Sequence, residues 1–348
     1  MTRLLFATKA SYTTSPRRRR AERPSRGCAI WWILPVVEMR AFGRTDLSVS
    51  VFGLGCARIG GIFQSDTGSF LNLLAAARDA GINFFDTADM YSQGESEALV
   101  GRAFKNSRSR VVIASKAGYC LPGRRRLAAR LKPVLRPIIR RLGIRRDRLP
   151  ASVRGSLAQD FSPAYLRKAV EGSLRRLRTD YLDLFQLHSP PAEVVERGDW
   201  EPALDALKRA GKIRHYGVSC DTVEAGLAAL RFPGVASLQF ALSLIEPRAA
   251  ETLAPGVRAK GIAGVARECL ANGLLAKRPD QIDLAAYCHS ADEQKRREEE
   301  LTKYRREAEE KGSSLARVAM DFVAGVDGVS VALLGARSVD QLHGLLGL

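Results

Sequence analysis

From residue 51 onward the chain alternates between two hydrophobic rhythms. Short apolar runs recur at Val51–Gly55, Asn83–Asp86, Val111–Ser115, Leu182–Leu187, Ile213–Val218, Ala236–Phe240, Gly261–Ala266 and Val329–Leu334, each of a length that suits a buried strand. Between them lie segments of helical period. In 70–80, Phe70, Leu73, Leu74 and Ala77 share one face and Gly81 ends the helix. After Ser162 and Pro163, the pair expected at a helix start, Leu166, Val170, Leu174 and Leu177 point one way. Further helices are predicted over 96–104, 200–210, 222–230, 249–260, 313–323 and 338–346, and the charge-rich stretch 293–310 reads as a solvated helix with i,i+4 pairs. Before the first strand, residues 40–52 predict a hairpin turning at Gly43–Asp46. Eight strands and eight helices in strict alternation predict a single (β/α)8 TIM barrel, an α/β fold. A doubly wound sheet would want Gly-x-Gly-x-x-Gly after its first strand, and Gly53-Leu54-Gly55-Cys56-Ala57-Arg58 supplies two of the three glycines.

The rhythm fails in two places, and there the charge collects. The chain carries a formal net charge of +18. Residues 1–38 hold eight basic groups against Glu22 and Glu38, and residues 122–154 hold twelve against Asp147. The remainder is nearly neutral, so the excess belongs to a tail and one insertion and is no argument for nucleic acid along the barrel. Residues 1–38 read as a disordered extension, or as an upstream start with Met39 as the true beginning; a transit peptide and an arm for an acidic surface are the functional alternatives. The barrel then occupies 39–348. Its insertion, about 119–160, is far longer than the roughly two to six residues of a common βα loop. Within it Leu127, Leu131, Val134, Leu135, Ile138, Ile139 and Leu142 repeat at helical spacing, interrupted by Pro133 and Pro137. Two expectations follow: a basic lid over the mouth, or an excursion packed on the rim with its arginines in water. The six cysteines show no C-x-x-C pair and no metal-ligand spacing. Together with the lack of any apolar run near 18 residues, this leads us to expect a reduced, cytoplasmic protein without a membrane span.

Chemistry-bearing residues stand where such a barrel places its active site, at the C-terminal strand ends. Asp86 ends the second run and Tyr91 follows it; Lys116 ends the third; His188 ends the fourth. Each alone is weak, but three consecutive strand ends bring the four together. A phenol with a pKa of about 10 needs a cation to act as an acid near neutrality. Lys116 would lower that pKa, Asp86 would orient the ammonium, and His188 would hydrogen-bond a carbonyl oxygen. Proton delivery to a carbonyl while hydride arrives from a nicotinamide is the natural reaction.

These residues resemble the aldo-keto reductases. Asn83-Phe84-Phe85-Asp86-Thr87-Ala88-Asp89-Met90-Tyr91 with Gly94-Glu95-Ser96-Glu97 resembles the family's signature, and Leu166–His188, Lys212–Ser219 and Leu334–Leu342 resemble three later blocks, in order. The resemblance covers the chain from Met39 apart from the basic insertion. It implies a barrel that interconverts aldehydes or ketones and alcohols with NADP(H), NAD(H) remaining open, and a catalytic set of Tyr91, Lys116, Asp86 and His188. It further implies Ser219, Cys220 and Gln239 at the nicotinamide carboxamide, Arg267 in the place of a ring-stacking aromatic, and Gly335, Ala336, Arg337, Ser338 and Gln341 at the adenosine phosphate. Four features depart from the family pattern: Cys220 replaces an Asn, Arg267 replaces the aromatic, Leu345 stands where an Asn often meets adenine, and the chain stops at Leu348, where the family continues through its last helix and a tail. The expected partner is a small carbonyl or alcohol substrate, with no nucleic acid, on a monomer or weak oligomer. The alternative is a non-catalytic NADPH-binding regulatory subunit resembling the barrel-type potassium-channel β subunits.

Overall fold

The structure is a computed structural model that describes residues 37–57, 67–120, 158–288 and 290–348. Most of the extension and the centre of the basic insertion lie outside those residues, and with them the lid and rim expectations.

Twelve strands are described. β1 (Met39–Ala41) and β2 (Ser48–Ser50) form the expected antiparallel hairpin. β3 (Phe52–Gly55), β4 (Phe84–Asp86), β5 (Val112–Ala117), β8 (Leu182–His188), β9 (Ile213–Ser219), β10 (Val235–Ala241), β11 (Ala263–Arg267) and β12 (Val329–Leu334) close in that order into a barrel, β12 returning to pair with β3. Every pairing around it is parallel. The eight predicted strands are therefore the eight barrel strands, with no boundary moved by more than two residues. The remaining two, β6 (Tyr119–Cys120) and β7 (Ala158–Gln159), pair antiparallel at the two ends of the basic insertion. They were not predicted, since two residues are too few to show alternation.

The helices stop and start for local reasons. The helix Pro163–Leu177 is capped by Ser162, whose hydroxyl accepts from the Tyr165 N–H at 3.3 Å, and it ends at Arg178 in the left-handed region. The predicted single helix over 249–260 is two helices, Arg248–Thr252 and Ala254–Ala259. Pro255 lies in the first turn of the second, where its missing N–H is harmless; inside one continuous helix it would break the ladder.

The hairpin does more than precede the barrel. Phe42, Leu47 and Val49 are buried in one cluster with Phe84, Val112, Ala114, Leu184, Val265 and Val331, so the turn plugs the end of the barrel away from the strand C-termini. Phe42 and Phe84 lie 5.6 Å apart between ring centroids. Gly43, at φ +56°, presses against the Ile262–Ala263 backbone, where a Cβ would come within 2.7 Å of Ala263 N. Asp46 accepts from Arg214 at 2.6 Å and lies 2.8 Å from His215 Nε2. With one end stoppered, the open end at the strand C-termini is the face available to ligands.

Candidate active site

At that open end β4 runs into a loop fixed from three sides. The Thr87 N–H donates to Ala114 O and the Asp89 N–H to Lys116 O, both at 2.9 Å, continuing the sheet ladder past the end of β4. Thr87 and Ser96 share a hydroxyl hydrogen bond of 2.8 Å, and Ser96 donates to Cys56 O at 2.9 Å. Glu97 is fully buried; it accepts from Ser115 at 2.7 Å and pairs with Arg176. The loop closes through Ser92 and Gln93 at positive φ before the helix Glu95–Ala103 begins. Tyr91 is thus held on a short, anchored turn.

The four residues singled out at the strand ends are brought together. Lys116 Nζ donates to Asp86 Oδ2 at 2.6 Å and to Thr87 O at 2.9 Å, and the two side chains are 1% and 5% exposed. The same ammonium lies 5.1 Å from the Tyr91 ring centroid. His188 packs edge-on against Tyr91, with centroids 5.6 Å apart, and against Tyr119 at 5.0 Å. The second Asp86 oxygen accepts from Gln239 Nε2 at 3.0 Å, and Gln239 Oε1 accepts from Ser219 at 2.8 Å.

The electrostatics correct one expectation. Burial raises the Tyr91 phenol pKa above its ordinary value; the Lys116 charge pulls it down but does not win. Lys116 was visible in the sequence, whereas the desolvation that outweighs it is a property of the fold. Burial, assisted by the positive charges of Lys116 and Arg267, holds His188 well below the ordinary imidazole range. Despite the same burial, Asp86 and Tyr91 keep the Lys116 ammonium pKa above its ordinary value. At neutral pH the site therefore holds a protonated phenol, a neutral imidazole and an ammonium paired with a carboxylate.

The remaining residues divide between the mouth and the core. Arg267, at the end of β11, pairs with Asp221 and Glu268 and donates to Cys220 O at 3.1 Å. The buried Cys220 thiol approaches Gly226 in the helix Val223–Ala229, so it is the carbonyl of Cys220 that meets Arg267. Leu345 is buried in the core, and Arg317 donates to Leu346 O at 2.8 Å where Gly347 ends the last helix, Val339–Leu346. At the start of that helix Ser338 accepts from the Gln341 N–H at 3.2 Å, and Gln341 Oε1 accepts from the Arg337 N–H at 2.9 Å. The Arg337 guanidinium is exposed with no acidic partner among the described residues, and a Cβ on Gly335 would meet nothing within 4 Å. An unpaired cation, open space and a helix N-terminus together fit an anionic group such as a nucleotide phosphate. Among the described residues no group of three or more potential ligands could hold a metal ion, and no helix is long and apolar enough to cross a membrane.

Sequence reasoning passed over Gln186 and Ser237, both fully buried and both facing the barrel interior below the site. The signal was present: Gln186 lies two residues before His188 in β8, on the same face.

Comparison with known proteins agrees with this arrangement. The model of the Aldo/keto reductase family matches residues 52–348. The uncharacterized oxidoreductase YqkF of Bacillus subtilis is 30% identical over 307 residues, covering 87% of this chain and 88% of its own. The L-galactose dehydrogenase of Arabidopsis thaliana is 25% identical over 332 residues, covering 88% and 86%. Among solved structures, the holo form of an aldo-keto reductase from Bacillus halodurans superposes with a TM-score of 0.71 at 28% identity, covering 89% of this chain and 90% of its own. The glycerol dehydrogenase of Gluconobacter oxydans gives 0.70 at 27%, covering 90% of each. With its closed barrel, its strand-end cluster and a family match running from the first barrel strand to the last residue, the chain belongs to the aldo/keto reductase family of nicotinamide-dependent oxidoreductases.

Proposed function

We propose that the protein is an NADP(H)-dependent oxidoreductase that interconverts aldehydes or ketones and alcohols, with Tyr91 as general acid in reduction and general base in oxidation. The observation that carries this reading is the cluster of half-buried Tyr91 with buried Lys116, Asp86 and His188 at the C-terminal end of the barrel. A bound nicotinamide supplies or accepts the hydride. Tyr91 keeps its proton at neutral pH and can give it to a carbonyl oxygen; Lys116 beside it stabilises the phenolate left behind. Neutral His188 can donate one hydrogen bond to the same oxygen. Asp86 holds the Lys116 ammonium in place. Ser219 and Gln239 suit the carboxamide of the nicotinamide, because both present hydrogen-bonding groups at adjacent strand ends. Arg337 and the Ser338-capped helix suit the adenosine phosphate, and the unpaired guanidinium favours a nucleotide with a 2'-phosphate over one without.

The test is oxidation of NADPH or NADH by a reactive nitrobenzaldehyde and by a panel of aldoses, with the native protein and Tyr91→Phe. We expect turnover with NADPH, tighter binding of NADPH than NADH, and loss of turnover in the variant with cofactor binding retained. Equal turnover in Tyr91→Phe, or tight cofactor binding with no turnover across the panel, refutes the reading.

A further inference from the structure

His188 can donate from Nε2 to a carbonyl only when its other nitrogen carries no proton, because a neutral imidazole has one N–H. The tautomer is set by what Nδ1 meets. His188 Nδ1 is buried and has no hydrogen-bond partner among the described residues. Both atoms of the Gln186 amide and the Ser237 hydroxyl are in the same condition. Among the described residues, four of the seven such atoms thus belong to three residues on β8 and β10, the strands that flank β9.

Their placement is contiguous. Gln186 precedes His188 by two positions in β8, so both face the barrel interior. Across the sheet Gln186 pairs with Gly217 of β9, which pairs with Ser237 of β10. Gly217 contributes no side chain, and the Ser237 hydroxyl lies against the place its Cβ would take. Lys116, the partner of Gln186 on the other side, is turned to Asp86 and Thr87 O. The orphaned atoms therefore face one another across Gly217, beneath the imidazole. Buried polar groups left without partners are costly, and a buried water typically satisfies about three of them.

We infer that the barrel holds a water molecule among Gln186, Ser237 and His188, and that Gln186 acts through it as a positioning residue for the imidazole. The water donates one hydrogen to His188 Nδ1 and the other to Gln186 Oε1 or to Ser237, and it accepts from Gln186 Nε2. Nδ1 is thereby kept as an acceptor, and the single imidazole proton stays on Nε2, toward the mouth. No covalent step is involved. The catalytic consequence rests on the proposed carbonyl chemistry; the tautomer does not.

The test uses the full-length protein labelled with nitrogen-15 in histidine. The chain has four histidines, and His188 is assigned by its loss in His188→Gln. Nitrogen chemical shifts then report the tautomer of His188 in the native protein, in Gln186→Met and in Ser237→Ala, the last guarding against misfolding of the first. We expect only the Nε2–H tautomer in the native protein and a mixture of both tautomers in Gln186→Met. Alongside, kcat for an aldehyde should fall by at least about tenfold in Gln186→Met, with KM and cofactor affinity within about twofold, because only an interaction made in the transition state is weakened. Gln186→Glu, which keeps an acceptor for the water, should recover part of kcat. An unchanged tautomer in both variants overturns the inference, whatever happens to the rate. The expected tautomer in the native protein and a mixture in Gln186→Met, with no turnover by the native protein, upholds the inference and refutes the proposed function.

Discussion

Lys116→Met is the sharpest probe of the site. Methionine nearly preserves the volume of the lysine stem, so the change isolates charge. It removes the cation 2.6 Å from Asp86 Oδ2, within a pair whose side chains are 1% and 5% exposed. Asp86 is left with the Gln239 amide donor at 3.0 Å, and Thr87 O loses its donor. Removing one partner of a buried ion pair costs about 3–5 kcal/mol, whereas replacing both with neutral groups of similar shape is often close to neutral. Lys116→Met should therefore lose about 3–5 kcal/mol at neutral pH. Asp86→Asn/Lys116→Met should recover most of that, because asparagine still offers Gln239 an acceptor without a stranded charge. The assay is urea unfolding of the native protein, the two single variants and the double variant, followed by far-ultraviolet circular dichroism. A coupling energy under about 0.5 kcal/mol, the level at which independent sites simply add, would refute the argument. So would a double variant no more stable than Lys116→Met.

Three further outcomes are expected. Gly101→Ala places a methyl group in the middle of the helix Glu95–Ala103, where alanine would ordinarily gain about 1 kcal/mol over glycine. Here the Cβ would overlap the Leu177 backbone carbonyl, so overpacking of about 1–3 kcal/mol wins and the melting temperature falls; a rise would contradict the close approach of the two helices. Asp89 has its carboxyl raised to about 7, by burial first and by the Glu97 charge second. Between its ordinary value of 3.8 and that raised value the folded state holds a proton the unfolded state has lost, so this group costs stability as pH rises through that window. Asp89→Asn should gain melting temperature relative to the native protein at about pH 8 and not at about pH 4, and an equal difference at both would refute it. Tyr91 keeps its proton past neutrality, so carbonyl reduction should be level across neutral pH, and alcohol oxidation should rise into the alkaline range. Steady-state profiles in the two directions check this, and oxidation that is flat over the same range would count against Tyr91 as the base.

What the sequence disclosed depended on how local the cause was. Strand identity is written in short apolar runs, and all eight barrel strands were legible there. So was the convergence of Asp86, Tyr91, Lys116 and His188, because parallel strands put their ends on one face and the position of each residue on its strand needs no tertiary information. The β6–β7 pair escaped because a two-residue strand has no period. The division of the 249–260 helix was readable from Pro255 but was overridden by the apolar spacing around it. That the hairpin seats Phe42 and Leu47 in the barrel end is a long-range fact that alternation alone cannot carry. The sign of the Tyr91 shift was missed for the same reason. A neighbouring lysine can be inferred from strand order, whereas the dielectric around a phenol depends on everything packed over it.

The two halves of the site are one hydrogen-bonded unit. Asp86 has both oxygens engaged, one by Lys116 and the other by Gln239, and Gln239 is in turn held by Ser219. The residues proposed to hold the nicotinamide and those proposed to move the proton therefore meet at a single carboxylate. A group that drew the Gln239 amide away would leave Asp86 with Lys116 as its main partner, strengthening the hold on the ammonium beside Tyr91. Burial keeps the phenol loaded with its proton, and Lys116, helped by the Arg267 charge, stabilises the phenolate when that proton leaves. Occupation of the Ser219–Gln239 end would thus be felt at Tyr91 through Asp86 and Lys116, without movement of the strands that carry them.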